Sequence, residues 1–166
     1  MDRHNTAAKI ILQQLSIKFN LIKQPTPYYT YSPETILENA DHKIYWDRII
    51  YTGKTILCNQ PDITVIDKIE KHTYLINIAI PNDKTVVEKE EEKREKYTLL
   101  AMEVKEIWQQ EKVTFIPLDT SVTGITSKNY TENLQKLGLP KYIHTNILKH
   151  PVILKTCSMV RKFLNL

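Results

Sequence analysis

The 166-residue chain has few cysteines and lacks the long apolar runs of membrane proteins. Its two cysteines, Cys58 and Cys157, form no Cys-x-x-Cys or other ligand pattern, so the sequence indicates neither a disulfide framework nor a zinc site. No uncharged apolar run approaches the length of a membrane-spanning helix, and the first residues lack the pattern of a signal peptide. We therefore expect an intracellular protein that does not cross a membrane.

The chain also lacks internal repeats, low-complexity tracts and any stretch typical of a linker between domains. With 42% hydrophobic and 25% charged residues it has the composition of a soluble globular protein, and its length suits one domain with a real core. We predict a single domain over 1–166, consisting of a helical or extended segment (1–40), a core (41–118) and a basic helical end (119–166).

Positive charge is concentrated at the end of the chain. Residues 128–166 contain seven Lys or Arg and one Glu, a balance of +6, so the preceding residues together carry −2. A basic end on a near-neutral body suggests an anionic partner such as a nucleic-acid backbone; alternatively, these charges lie on solvated helix faces. The residues that we expect to contact phosphates are Lys141, Lys149, Lys155, Arg161 and Lys162.

Hydrophobic periodicity predicts an α/β fold in which a sheet of about four to five strands is flanked by helices. The predicted helices have apolar residues at helical spacing or a start signal, and they cover 8–19, 33–39, 85–111, 127–137 and 141–164, the last of them kinked or split at Pro151. The predicted strands are 43–51, 54–58, 61–67, 72–80 and 113–118.

The central feature is a predicted hairpin formed by 61–67 and 72–80, which are rich in Ile, Val, Thr and Tyr. If the four residues between them form the loop, Asp67 pairs with His72, and the same register places Asp62 opposite Asn77. Side chains that are paired in this way share a face, with Cβ atoms about 4.5–5.5 Å apart. A carboxylate and an amide oxygen at that spacing could share a metal ion; on spacing alone, an ordinary hairpin with two polar residues on its wetter face is the simpler explanation.

The predicted helix 85–111 contributes two further candidates. Its apolar stripe includes Tyr97, and extending the stripe by one turn towards the N-terminus places Lys93 near the centre of the buried face and Lys96 on its flank. A lysine at the leading edge of such a stripe can reach over the sheet, and the alternative is that its stem packs while its ammonium reaches solvent. Acidic oxygens that hold Mg²⁺, together with a nearby cation, are what phosphodiester hydrolysis requires.

Several short motifs follow one another along nearly the whole chain. The central ones are Asn59-Gln60-Pro61-Asp62-Ile63, Asp67-Lys68 and Tyr74-Leu75-Ile76-Asn77-Ile78-Ala79-Ile80-Pro81, and the outlying ones are Arg3-His4-Asn5, Tyr45-Trp46-Asp47, Lys96-Tyr97, Pro117, Thr123-Gly124 and Arg161-Lys162-Phe163-Leu164. In this order they resemble the restriction-like endonuclease domain of site-specific non-LTR retrotransposons, which belongs to the PD-(D/E)xK nuclease superfamily.

The resemblance implies a mixed sheet of the restriction-endonuclease type, Mg²⁺ or Mn²⁺ as cofactor, DNA or RNA as partner of the basic C-terminal helices, and a nuclear location. It makes Asp62 the first metal-binding acid, Asn77 the occupant of the second acid position, and Lys93 with Tyr97 the displaced lysine motif. Asn77 departs from the family by lacking a charge, and Gln60 stands where a basic residue often precedes Pro-Asp. The beginning of the chain leaves out the family's zinc-binding element, so we expect a stand-alone piece of a retroelement protein.

These residues leave three functions open. The first is a metal-dependent endonuclease that Asn77 weakens or inactivates. The second is a remnant that binds nucleic acid without cutting it, and the third is a protein-interaction domain that uses the basic C-terminal helices. Asn77 separates the first two functions, and salt-insensitive binding to a protein without DNA affinity would indicate the third.

Overall fold

A mixed five-stranded sheet organises the chain in the computed structural model, which describes residues 2–81, 86–144 and 149–165. The strands lie in sequence order; the first three neighbouring pairs are antiparallel, and the last pair is parallel. The elements of the described ranges are α1 (Asp2–Lys18), β1 (Ile36–Glu38), β2 (His42–Trp46), β3 (Ile63–Asp67), β4 (His72–Ala79), α2 (Val86–Ile107), β5 (Lys112–Asp119), α3 (Tyr130–Lys136) and α4 (Lys149–Phe163). The predicted α/β class, with an N-terminal helix and two C-terminal helices, is confirmed.

The β3–β4 hairpin has the predicted register. Asp67 pairs with His72, and the ladder continues to Ile63 opposite Ile76. The Asp67 carboxylate accepts hydrogen bonds from two backbone N–H groups of the four-residue loop, at 2.9 Å each, which fixes the turn. Because a slip of one residue would send every side chain to the other face, this turn determines which side chains of β4 share a face with those of β3.

Each face of the sheet has its own apolar core. Ile76 and Ile78 of β4 belong to the larger core, together with the buried stripe of α1 and residues of α3. Leu75 lies in the second core, under Tyr97 and Leu100 of α2. Since alternate residues of a strand point to opposite faces, α1 and α2 cover opposite sides of β4.

Three predictions before the hairpin are wrong. Residues 33–39 were expected to form a helix after Pro33, but Ile36–Glu38 form an edge strand whose Ile36 pairs with Tyr45 of β2. The strand predicted at 54–58 is absent from the described residues, and β2 ends at Trp46 rather than near residue 51. Pairing with a distant strand and packing against α2 outweigh these local preferences.

The segment between β2 and β3 leaves the sheet after β2 and returns to the same end of the sheet, where β3 begins. The Asp47 N–H donates to the Asp62 carbonyl and the Ile50 N–H donates to the Asn59 carbonyl, both at 2.8 Å. These bonds hold Asp62 at the end of the sheet, and Ile50 is buried in the core under α2.

The basic end of the chain packs back on the first helix. Arg3 of α1 donates a hydrogen bond to the Thr156 hydroxyl of α4 at 3.1 Å. Pro151 is the third residue of α4, and residues 145–148, which precede that helix, lie outside the described ranges, so the split at Pro151 stays a prediction. Across the parts of the chain that the structure describes, no helix is both long and apolar enough to span a membrane.

Candidate functional site

Asp62 and Asn77 lie beside each other at one end of the β3–β4 hairpin. The ladder pairs Ile63 with Ile76, so Asp62 and Asn77 occupy the next position in the same register. Oδ2 of Asp62 accepts a hydrogen bond from the Ile78 N–H at 2.6 Å, which ties the carboxylate to β4 directly. The tight turn at the opposite end of the hairpin therefore determines the neighbour of Asp62.

His4 of α1 contacts the other oxygen of the Asp62 carboxylate. Its Nε2 atom lies 3.2 Å from Oδ1 of Asp62, whose side chain is 14% exposed and so still reaches solvent. The hydrogen bond to Asp62 and the negative charge of Asp62 raise the pKa of His4 above its ordinary value, although burial opposes this. Both oxygens of Asp62 thus have donors within the protein.

Tyr97 joins Asn77 to the loop before β3. The Asn77 amide nitrogen donates to the Tyr97 hydroxyl at 3.3 Å, and this hydroxyl donates to the Gln60 carbonyl at 3.2 Å. The Tyr97 ring stacks on Phe115 with centroids 4.6 Å apart. Burial, and then the charge of Asp62, raise the pKa of Tyr97 well above its usual range, so the hydroxyl stays protonated.

The remaining polar atom of the Asn77 side chain has no hydrogen-bond donor within the described ranges. With the amide nitrogen engaged by Tyr97, the Oδ1 atom is buried and has no hydrogen-bond partner among the described residues. A buried oxygen without a partner is costly, and such atoms often mark a position for water or a cation.

Lys93 lies one helical turn before Tyr97, on the same face of α2. Its Nζ atom is 3.4 Å from Oδ1 of Asp119, whose side chain is fully buried, while the Lys93 side chain is 21% exposed. Lys96 instead pairs with Glu92 on the exposed side of the helix. Of the two candidate lysines, Lys93 is the one that faces the sheet.

Asp119 was missed by sequence reasoning, because the predicted strand stopped at Leu118. It is the last residue of β5 and pairs with Ala79 of β4. Burial raises the pKa of its carboxyl, and the charge of Lys93 opposes this. Alternation along the strand from Phe115, which touches Tyr97, would have placed Asp119 on the face under α2.

The structure thus brings Asp62, Asn77 and Tyr97 into one cluster, and it places Lys93 one turn of α2 away with Asp119 as its contact. Carboxylate and amide oxygens suit a hard cation, and the partnerless Oδ1 atom of Asn77 fits that role. Within the described ranges, no three His, Cys, Asp or Glu side chains gather as a metal-ligand group. One carboxylate and one amide oxygen are thus the candidate ligands for such a cation.

A polar groove lies beside α1. It has a volume of about 230 Å³ and runs between α1, the tyrosine-containing segment after it, and α4; it is lined by Asn5, Thr6, Lys9, Tyr28, Tyr29 and Lys155. Asn5 follows His4, and the His4 ring contacts the Asn5 side chain at 3.2 Å. The groove combines lysines and tyrosines, which are the side chains that bind phosphates and stack on bases.

Comparisons of the chain with models of protein families, with curated proteins and with solved structures found no match. The arguments about function that follow rest on the sequence motifs and on the geometry of this chain.

Proposed function

We propose that this protein is a DNA endonuclease-like domain derived from a retroelement, with a metal-dependent phosphodiester-cleaving site that Asn77 weakens. The observation that carries the proposal is the position of Asp62 beside Asn77 at the end of the β3–β4 hairpin, with Tyr97 bonded to Asn77. A hairpin with no function has no need for a hydrogen bond between a helix and the polar residue at its end, and Asn77 has such a bond to Tyr97.

Asp62 and Asn77 are the residues that would hold Mg²⁺ or Mn²⁺. A bound divalent cation would supply charge stabilisation on the phosphate and help to activate water. Asn77 contributes an oxygen but no charge, so the site has one negative group, whereas the nucleases that this chain resembles have two. With one negative group the site would bind the cation weakly but would still be able to bind it.

Lys93 and Tyr97 supply the remaining chemistry. The Lys93 side chain is 21% exposed and lies on the face of α2 that covers the sheet, so its ammonium can neutralise charge that develops on a phosphate. The Tyr97 hydroxyl stays protonated and fixes the orientation of the Asn77 amide. We assign Tyr97 a positioning role, because its hydrogen bonds go to protein atoms.

The groove beside His4 gives nucleic acid a route to the site. Tyr28 and Tyr29 lie edge to face with ring centroids 5.6 Å apart, and Lys9 and Lys155 line the same groove. At the end of α4, the exposed Arg161 and Lys162 extend the basic surface. We place a nucleic-acid strand along these cations, beside the first turns of α1, the helix whose His4 contacts Asp62.

A second candidate function is nucleic-acid binding without cleavage. It is favoured by the hydrogen bonds of Asp62, since His4 and the Ile78 N–H already satisfy both oxygens of the first metal ligand. A carboxylate with two internal donors loses part of its gain on binding a cation.

Nicking of supercoiled plasmid by purified protein in Mg²⁺ or Mn²⁺ separates the two functions. We expect slow nicking by the wild type that chelation abolishes and that Asp62→Asn removes. Asp41→Asn, which changes an exposed acid in the turn between β1 and β2, is the matched control and should nick as the wild type does. If the wild type and both variants bind DNA equally and none of them nicks it, the binding function is the correct one.

A further inference from the structure

Among the residues that the structure describes, Asp119 and Asn77 each have a buried side-chain oxygen without a hydrogen-bond partner. Oδ1 of Asn77 and Oδ2 of Asp119 are both buried and lack hydrogen-bond partners among the described residues. Glu90, another buried acid near Lys93, provides a contrast, because its Oε1 atom accepts from Arg94 at 3.0 Å and from Asn129 at 3.2 Å. Leaving a carboxylate oxygen buried without a donor or a cation is costly, so Oδ2 of Asp119 is suited to a further partner such as a cation.

The register of the sheet places these two oxygens under the same part of α2. In the parallel β4–β5 pair, Asn77 lies opposite Pro117 and Ala79 opposite Asp119, so Asn77 and Asp119 are diagonal neighbours on one face. On the helix above, Tyr97 touches Asn77 and Lys93 touches Asp119. The four residues of helix from Lys93 to Tyr97 advance about 6 Å and two residues of strand about 6.6 Å, so the two contacts have a similar spacing.

We infer that Asp119 supplies the carboxylate that residue 77 lacks, so that a divalent cation such as Mg²⁺ or Mn²⁺ is held between Oδ2 of Asp119 and Oδ1 of Asn77. The inference rests on the proposed function, because it assigns a further ligand to that site. The chemistry of the pair is suitable, since one carboxylate and one amide oxygen are ligands that hard cations accept, with water completing the shell.

Lys93 has a defined place in this arrangement. Its ammonium is near Oδ1 of Asp119 and leaves Oδ2 for the cation. Lys93 and the cation therefore compete for one carboxylate, and removing the ammonium should strengthen cation binding. If Asp119 is only the ion-pair partner of Lys93, removing the ammonium should instead leave a buried unpaired charge and no metal effect.

Calorimetric titration with Mn²⁺ and thermal unfolding with and without Mg²⁺ test this inference without reference to activity. We expect Asp119→Asn to weaken Mn²⁺ binding at least about tenfold and to abolish the rise in Tm that Mg²⁺ gives the wild type. Lys93→Met should bind Mn²⁺ several-fold more tightly, and Asp41→Asn, a change of an exposed acid, should match the wild type.

The inference is overturned if Asp119→Asn folds and binds Mn²⁺ as the wild type does, or if the wild type binds no divalent cation. Circular dichroism checks the fold of the variant. Should Asp119→Asn fail to fold, Lys93→Met decides: tighter Mn²⁺ binding supports the inference, and unchanged or weaker binding overturns it.

Measurements of cation binding and of nicking on the wild type and these variants test the inference and the proposed function separately. Cation binding that Asp119→Asn removes, in a protein that never nicks DNA, supports the site and contradicts the nuclease. Nicking that depends on Asp62, with cation affinity unaffected by Asp119→Asn, supports the nuclease and contradicts this ligand assignment.

Discussion

The amide nitrogen of Asn77 donates a hydrogen bond to the Tyr97 hydroxyl at 3.3 Å. This contact joins the end of β4 to the buried face of α2 and directs the Oδ1 atom of Asn77 away from the tyrosine. The polar end of the hairpin is therefore held by the helix that also carries Lys93.

Tyr97→Phe should lower the free energy of unfolding by about 1–2 kcal/mol, because it leaves the Asn77 amide and the Gln60 carbonyl without their shared hydroxyl. The stacking on Phe115 is retained, so the loss reports the hydrogen bonds alone. Urea denaturation measures the change. Tyr51→Phe, at a side chain that is 82% exposed, is the matched control and should be neutral; equal stability of both variants would show that the hydroxyl contacts contribute nothing.

His4 should make stability depend on pH. Its pKa is raised in the folded protein by the hydrogen bond to Asp62, so its contribution is fully present below the unfolded value of about 6.5 and is lost as the pH rises through the raised folded pKa. Since the His4 side chain is 36% exposed, we expect less than about 1 kcal/mol.

The measurement is the difference in Tm between the wild type and His4→Gln, taken from about pH 5.5 to about pH 9. The difference should be largest at the acidic end and disappear at the alkaline end. Asp62→Asn removes the partner and should remove the same pH-dependent step. A difference in Tm that is constant with pH would contradict the account of this contact.

DNA affinity should depend on the basic end of the chain. Arg161 and Lys162 are exposed on α4, and Lys155 lines the groove beside α1. We expect the double change Arg161→Gln and Lys162→Gln to lower the slope of log K against log salt by about two, and Lys155→Gln to lower it by about one. Fluorescence anisotropy at several salt concentrations gives the slopes.

Lys105→Gln is the control for the loss of one charge, because this lysine is exposed near the far end of α2. Its salt slope should equal that of the wild type. If none of the charge changes alters the slope, the C-terminal helices do not contact phosphates. Binding to a protein partner with an affinity that does not change with salt would then indicate a protein-interaction domain.

The parts of the site that lie within one local element could be predicted from the sequence. A four-residue loop fixed the register that pairs Asp62 with Asn77, and the 3.6-residue period placed Lys93 on the buried face of α2. The periods of strands and helices make this possible, because the residues that share a face within one element follow from counting along the chain.

What depends on distant pairing could not be predicted. Ile36–Glu38 forms a strand because β2 offers it an edge, which no local pattern reveals. His4 reaches Asp62 only because α1 packs against β4, and Asp119 contacts Lys93 only because β5 lies parallel to β4 after the crossover through α2. Each of these contacts follows from the assembled sheet rather than from spacing.

The most direct test of the central claim is nicking of supercoiled plasmid in Mg²⁺ by Asn77→Asp, with the wild type and the double variant Asp62→Asn and Asn77→Asp alongside. Without Mg²⁺ the new acid lies beside Asp62 and repels it, so Tm should fall, and Mg²⁺ should restore Tm more than in the wild type. We predict nicking at least about tenfold faster than by the wild type, and its loss in the double variant. If Asn77→Asp folds normally, binds Mg²⁺ no more tightly by calorimetry and does not nick DNA, the claim of a weakened nuclease site is contradicted.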